Sequence, residues 1–232
     1  MRRIEFGDFK PQRGIAMDAT PSRYRAVTGA TSLIVGPALM SVGDLFHPAE
    51  TWGAAAQVAI VADSVFRWYV SHLLLFAGML LLIPGILALT KVAMDHRPAA
   101  GYAARLLMLA SVGAFSAVFV FEMLLGCFIS VGHDQSAAVV LLEVFQSAEI
   151  FVALLPVLLA FFIGTALAVR SLAFPAGPFR WPALGFGLGA ILVLGEIILA
   201  KVLLSQIGNI ICLVAGITFA RVLLRGREVA PM

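Results

Sequence analysis

Residues 68–92 read WYVSHLLLFAGMLLLIPGILALTKV. Between His72 and Lys91 nothing is ionisable. As a helix rising about 1.5 Å per residue, the run is long enough to cross a hydrocarbon core roughly 30 Å thick. It does not alternate apolar and polar residues as a membrane β-strand must. In lipid every backbone N–H and C=O needs an internal partner, which leaves the helix as its form. Comparable runs cover about 26–46, 104–130, 149–170, 183–204 and 208–224. The expected fold is therefore all-α: a polytopic membrane bundle of six transmembrane helices. It has a basic tail over 1–25, one transmembrane domain over 26–224 and a short tail over 225–232.

Composition agrees. Hydrophobic residues make up 61% of the 232 residues and charged residues 12%, against about 45–50% and 25% in soluble domains. The mean hydropathy is +1.01. The net charge of +3 does not argue for a nucleic-acid partner, because the basic residues are spread over tails and short loops. Cys127 and Cys212 lie singly in apolar runs and read as packing residues. The basic N-terminal stretch has no apolar segment of its own, so no cleaved signal peptide is expected.

The basic loops set the topology. Lys91, Arg97, Arg105, Arg170, Arg180, Arg221, Arg225 and Arg227 fall with the N-terminal arginines on one side, while Arg67 and Lys201 fall toward the other. The positive-inside rule then predicts a multi-pass protein of the inner (plasma) membrane with both termini cytoplasmic. The acids Asp44, Glu50, Asp63, Glu122, Asp134, Glu143, Glu149 and Glu196 gather in the outward half.

Two semi-polar segments, 48–66 and 131–148, interrupt the apolar pattern and are expected to lie at the outer interface, with Trp52, Trp68 and Tyr69 at headgroup level. Spans one and two with the first segment resemble spans three and four with the second, although no residue pattern repeats between them. Gly29, Ser32, Gly36 and Gly43 share a helical stripe that runs on to His47 and invites a close neighbour. Pro37 and Pro84 are expected to kink their spans, with a serine or a neighbouring helix satisfying the freed backbone.

The candidate site residues follow from depth. Glu122 sits inside an apolar run on a stripe with Ser111, Phe115, Ile129 and His133. A charge there is expensive, so the carboxyl must face the bundle interior and be paired or protonated, as a general acid, a proton carrier or a helix-to-helix hydrogen bond. Glu196 shares a face with Gly185 and Gly189 and points inward too, while Lys201 is placed to snorkel or to pair with Glu143 or Glu149. Asp63 and Arg67, at i and i+4, read as an ion pair, with recognition by Arg67 the lesser role. His72 joins Glu122, Glu196 and Asp63 in the candidate catalytic set; Arg67, His47, Glu149, Phe115 and Trp68 form the candidate substrate-binding set. Asn209, Cys212 and Gly216 make a small stripe on span six that reads as packing.

No metal and no cofactor is expected. His47, His72 and His133 fall in the outward part, yet no HxxxH, HxxE or ExxH spacing appears within a helix, and His47-Pro-Ala-Glu50 reads as closing the end of span one, so a metal or haem site is the weaker reading. Walker, GxGxxG, GxSxG, HExxH and CxxC patterns are all missing from the chain.

The stretch SHLLLFAGMLLLIPGILALTKV, preceded by RWYV and followed by a short basic turn, resembles small polytopic bacterial membrane proteins. In architecture alone the chain is similar to integral-membrane terpene cyclases, and that resemblance implies carboxylic acids set in an aromatic-lined intramembrane pocket. It transfers no catalytic residue position by position.

Three functions fit these residues. The first is acid–base chemistry of the cyclase or isomerase type on an apolar isoprenoid-like or lipidic substrate, in an outward-facing cavity. Seventeen Phe residues and buried acids suit it. The second is small-solute or proton-coupled binding and transport. The third is a non-catalytic subunit of a membrane complex. The partners expected are the lipid bilayer and an apolar small molecule, and the sequence is also compatible with a homo-oligomer.

Overall fold

The computed structural model describes residues 19–48, 51, 53–132, 135–174, 177–199 and 202–228. Eight helices account for nearly all of them: α1 (Ala19–Phe46), α2 (Ala54–Asp63), α3 (Val65–His96), α4 (Pro98–Ser130), α5 (Gln135–Phe145), α6 (Ala148–Ala173), α7 (Arg180–Leu199) and α8 (Val202–Glu228). Among the described residues six helices are long and apolar enough to cross a membrane, and the short apolar helices are α2 and α5. The first span begins inside the stretch expected to be tail, since residues 19–25 are already helical. The last helix likewise continues past 225.

The six long helices close a ring in the order α1, α3, α4, α6, α7, α8 and back to α1. Their alternating direction places the 96–98 and 173–180 connections at one end of the bundle, with Arg97, Arg105, Arg170, Arg180, Arg221 and Arg225. Asp44, Glu122 and Glu196 lie toward the other end, with α2 and α5. Side chains such as Leu124, Ile191 and Val214 face outward.

Lipid tails are as apolar as leucine, so helix contacts here depend on close packing and hydrogen bonds rather than on hydrophobic burial. The glycine stripe of α1 performs that task against α3. A Cβ at Gly78 would stand 2.8 Å from the Gly36 carbonyl oxygen, and one at Gly43 3.0 Å from that of Ser71. At the α7–α8 contact, a Cβ on Gly208 would lie 2.7 Å from the Gly189 carbonyl oxygen.

The gap that Pro84 leaves in the α3 ladder is filled from the neighbouring helix. Proline has no N–H and pushes the preceding turn aside, leaving ladder groups open. Ser32 of α1 inserts its hydroxyl there, accepting from the Gly85 N–H at 2.9 Å and donating to the Leu81 carbonyl. In α1 itself, Ser41 donates to the Pro37 carbonyl at 2.8 Å.

The two short helices form a cap over one side of the ring. Ala54, Val58 and Val61 of α2 and Ala138 and Leu142 of α5 pack with Trp68, Leu125 and Ile129. Phe145 stacks on Phe121 with centroids 3.9 Å apart. Trp68 is therefore only 2% exposed. It is a core residue, not the headgroup marker that its place near a span boundary implied, because the cap covers it. Trp52, Glu50, His133, Asp134 and Lys201 lie outside the described residues.

Candidate functional site

The ring surrounds a partly open cavity of about 380 Å³ to which all six long helices contribute, with Phe145 and Gln146 also on its wall. That volume is within the roughly 300–1,000 Å³ of small-molecule sites. Most of its wall is Leu, Met, Ile and Phe. Its carboxyl and imidazole groups are Asp44, His47, His72, Glu122 and Glu196, all toward the capped end of their helices.

Two imidazoles meet there. The antiparallel contact between α1 and α3 that Gly36 and Gly43 permit brings His47, just beyond α1, beside His72 in the second turn of α3. Their Nε2 atoms are 3.4 Å apart. Nδ1 of His72 lies 2.7 Å from the Trp68 carbonyl oxygen and Nδ1 of His47 2.7 Å from that of Pro48. A carbonyl can only accept, so each ring carries a proton on Nδ1, and in the neutral form each Nε2 is an acceptor. The Trp68 ring packs at a tilt against both, with centroids 4.3 Å from His72 and 5.2 Å from His47.

Trp68 also fixes the level of Glu122. Its indole N–H donates to the Glu122 carbonyl at 2.8 Å, and Gly126 one turn on leaves the space for the ring, since a Cβ there would lie 3.0 Å from the indole Cδ1. Glu122 thus stands about two turns from the end of α4, on the cavity wall with Phe115 and Phe119. His72 meets the Phe119 ring edge-on at 6.3 Å.

Across the cavity, Asp44 of α1 is 5% exposed and Asn209 of α8 is 4% exposed. Asn209 Nδ2 donates to Asp44 Oδ2 at 2.8 Å, and Gln206 Nε2 donates to the Asp44 carbonyl at 3.0 Å. A buried carboxyl that ties two helices together is expensive to leave without such donors. Glu196 completes the set from α7.

Of the residues that the sequence put forward, His47, His72, Phe115, Glu122 and Glu196 line the cavity. Trp68 supports them from behind. Asp63, Arg67 and Glu149 are exposed and stand apart from the cavity wall. The Asp63–Arg67 ion pair does not form, because α2 ends at Asp63 and Ser64 breaks the helix with φ −142 and ψ 35. The i,i+4 relation holds only along one continuous helix. Arg67 donates instead to the Phe46 carbonyl at 3.3 Å. Ser111 does not reach the cavity wall; its Oγ donates to the Val157 carbonyl on α6 at 2.6 Å.

Three contributors were not singled out as site residues. In the sequence Asp44 is one of several outward acids, and Asn209 reads as packing because its partner lies 165 positions earlier. Thr165 sits in an apolar run on α6; it lines the cavity, is 4% exposed, and its Oγ1 has no hydrogen-bond partner among the described residues. A polar residue inside the apolar run FFIGTALAV was the available signal.

No family of proteins, no curated protein and no solved structure matches this chain.

Proposed function

We infer that the protein takes an apolar, isoprenoid-like or lipidic molecule from the bilayer into this cavity and exchanges protons with it at the polar end, in chemistry of the isomerase or cyclase type. The observation carrying this reading is the distribution of polarity along one cavity: a long apolar wall with two imidazoles and three carboxyls gathered toward one end. Beside so apolar a wall, preorganised groups act strongly on developing charge. In this reading Glu122 donates a proton to the seated molecule and His72 Nε2 takes one from a neighbouring carbon. The substrate keeps its atoms and its oxidation state, and the proton returns from imidazole to carboxyl between turnovers. Phe115 and Phe119 offer their ring faces to the transient cationic centre. The basic loops support placing the acidic end on the outer side of the plasma membrane, with both termini in the cytoplasm.

Native mass spectrometry of the full chain purified from membranes tests it. The expected result is a co-purifying apolar molecule that is lost from Ala190→Trp and Val193→Trp, which fill the cavity from α7, while both variants elute as the parent does. A protein that carries nothing, or filled variants that keep the molecule, would count against it.

A further inference from the structure

Deepening that reading, and resting on it, the burial of the lining residues locates the way into the cavity. On α1 and α3 the lining is shut off from the outside: Leu33, Met40, His72, Leu75, Met79 and Leu82 are all buried. Ser205 and Asn209 of α8 are buried as well, and so are Met108, Thr165 and Phe186 toward the basic end of the bundle. The rest of the α6 and α7 lining differs. Leu154 and Leu158 of α6 and Val193, Glu196 and Ile197 of α7 line the cavity yet are only partly buried.

The seams between neighbouring helices differ in the same way. In the capped half α1 is held to α3 at Gly43, where a Cβ would stand 3.0 Å from the Ser71 carbonyl oxygen, and to α8 by Asn209 on Asp44. Trp68 joins α3 to α4 at the Glu122 carbonyl, and a Cβ at Gly195 of α7 would meet Leu204 of α8 at 3.4 Å. Phe115 and Phe119 of α4 are only partly buried too, but the Ser111 hydroxyl fastens α4 to α6 at the Val157 carbonyl.

Between α6 and α7 the close approach lies near the opposite end. A Cβ at Gly187 would be 3.2 Å from Val169, close to the 173–180 connection that joins the two helices. From there toward the cap, the described side chains of 149–159 and 191–199 include none that is buried. The two helices share the smallest contact of any neighbouring pair in the ring. Pro156 also removes a backbone rung from this half of α6. Segments with few buried contacts open most readily. The rim of the seam is aliphatic, with Val152 and Val157 on α6 and Ile191, Ile198 and Leu199 on α7 exposed. Both helices are long and apolar enough to cross a membrane, so hydrocarbon chains cover this rim, and a charged solute reaches it only at high cost. Gln146, exposed and also on the cavity wall, stands at the turn just ahead of α6, so the opening extends to that turn.

We propose that α6 and α7 form a lateral gate. The hydrocarbon chain of a molecule resident in the capped-side half of the bilayer enters and leaves the cavity sideways between them, as the capped halves of the two helices part about the Val169–Gly187 contact.

The test follows exchange of bound tetradecan-1-ol for its deuterated form by time-resolved native mass spectrometry, with the full chain in zwitterionic nanodiscs. In a background with Cys127→Ala and Cys212→Ala, Val157→Cys and Ile198→Cys are bridged by a bifunctional methanethiosulfonate. A gate sets the barrier and leaves both end states alone, so uptake and release should each slow by at least about tenfold while Kd stays within about twofold. Reductant should restore both rates. Val157→Trp and Ile198→Trp, which need no reagent, should slow exchange in the same direction, and they decide alone where the bridge does not close. The same reagent across Val42→Cys and Leu73→Cys, exposed on α1 and α3, should leave the rates unchanged. Exchange that neither the α6–α7 bridge nor the Trp variants slow, with tetradecan-1-ol still bound, overturns the gate and leaves the apolar cavity standing. Equal slowing by the α1–α3 bridge overturns it as well. If the parent protein does not bind tetradecan-1-ol, the functional reading of the cavity fails and the gate falls with it.

Discussion

Asn209 and Asp44 are joined between adjacent helices by a buried hydrogen bond of 2.8 Å, which ties the last helix to the first. The ring closes at that α8–α1 contact, so the bond is structural as well as part of the cavity wall. Replacing Asn209 with Leu removes the donor and leaves the carboxyl facing an apolar neighbour. A loss of about 1–3 kcal/mol is expected, read as a lower Tm in detergent. The exchanged pair Asp44→Asn with Asn209→Asp should recover most of it, because donor and acceptor merely trade helices. Failure of the exchange to recover would mean that the bond matters less than the shape of each side chain.

Ser32 offers a separate test of how the bundle tolerates Pro84. In Ser32→Ala the Gly85 N–H and the Leu81 carbonyl lose the hydroxyl that bridges them. Faster amide hydrogen exchange at Gly85 and a lower Tm are expected, by about 1–3 kcal/mol. Adding Pro84→Ala should restore both, since a straight helix can close its own ladder. Unchanged exchange at Gly85 in Ser32→Ala would show that the serine is not what completes the ladder beside Pro84.

For Glu122 the expected separation is between chemistry and stability. Glu122→Gln keeps shape and hydrogen bonding but has no proton to give. It should express and melt like the parent while turnover of the bound molecule, followed by mass spectrometry, falls by about 10²–10⁴-fold. Glu122→Leu should lose about 1–3 kcal/mol of stability as well. A fully active Gln variant would reduce Glu122 to a packing residue.

Orientation can be read from the two ends of α3 and α4. In a background with Cys127→Ala and Cys212→Ala, a cysteine at Gln135 should react with a membrane-impermeant thiol reagent added to intact cells, and one at Arg97 only after lysis. The opposite pattern would place the acidic end of the cavity inside the cell.

What was legible in the sequence is what depends on one helix at a time. The spans follow from uninterrupted apolar length, and the glycine stripe from Gly29 to Gly43 announced the tight α1–α3 contact. Glu122 and Glu196 were placed inward because a carboxyl cannot face lipid. Relations between helices were not legible. The 25-residue separation of His47 and His72, or the 165 between Asp44 and Asn209, carries no periodicity that would pair them. Trp68 was misplaced because burial by the α2–α5 cap is a tertiary fact. Asp63 and Arg67 were misread because one residue, Ser64, breaks the helix that their spacing assumed.

The central claim is that the apolar lumen is occupied and that its occupant turns its polar end toward His47, His72 and the three carboxyls. A structure of the full chain in lipid nanodiscs, prepared from membranes without added ligand, measures this directly. The expected result is continuous elongated density from the level of Thr165 to the imidazole pair, with the head within hydrogen-bonding distance of Asp44 or Glu196. A lumen collapsed by inward movement of the helices, or one filled only by separate waters, would contradict it.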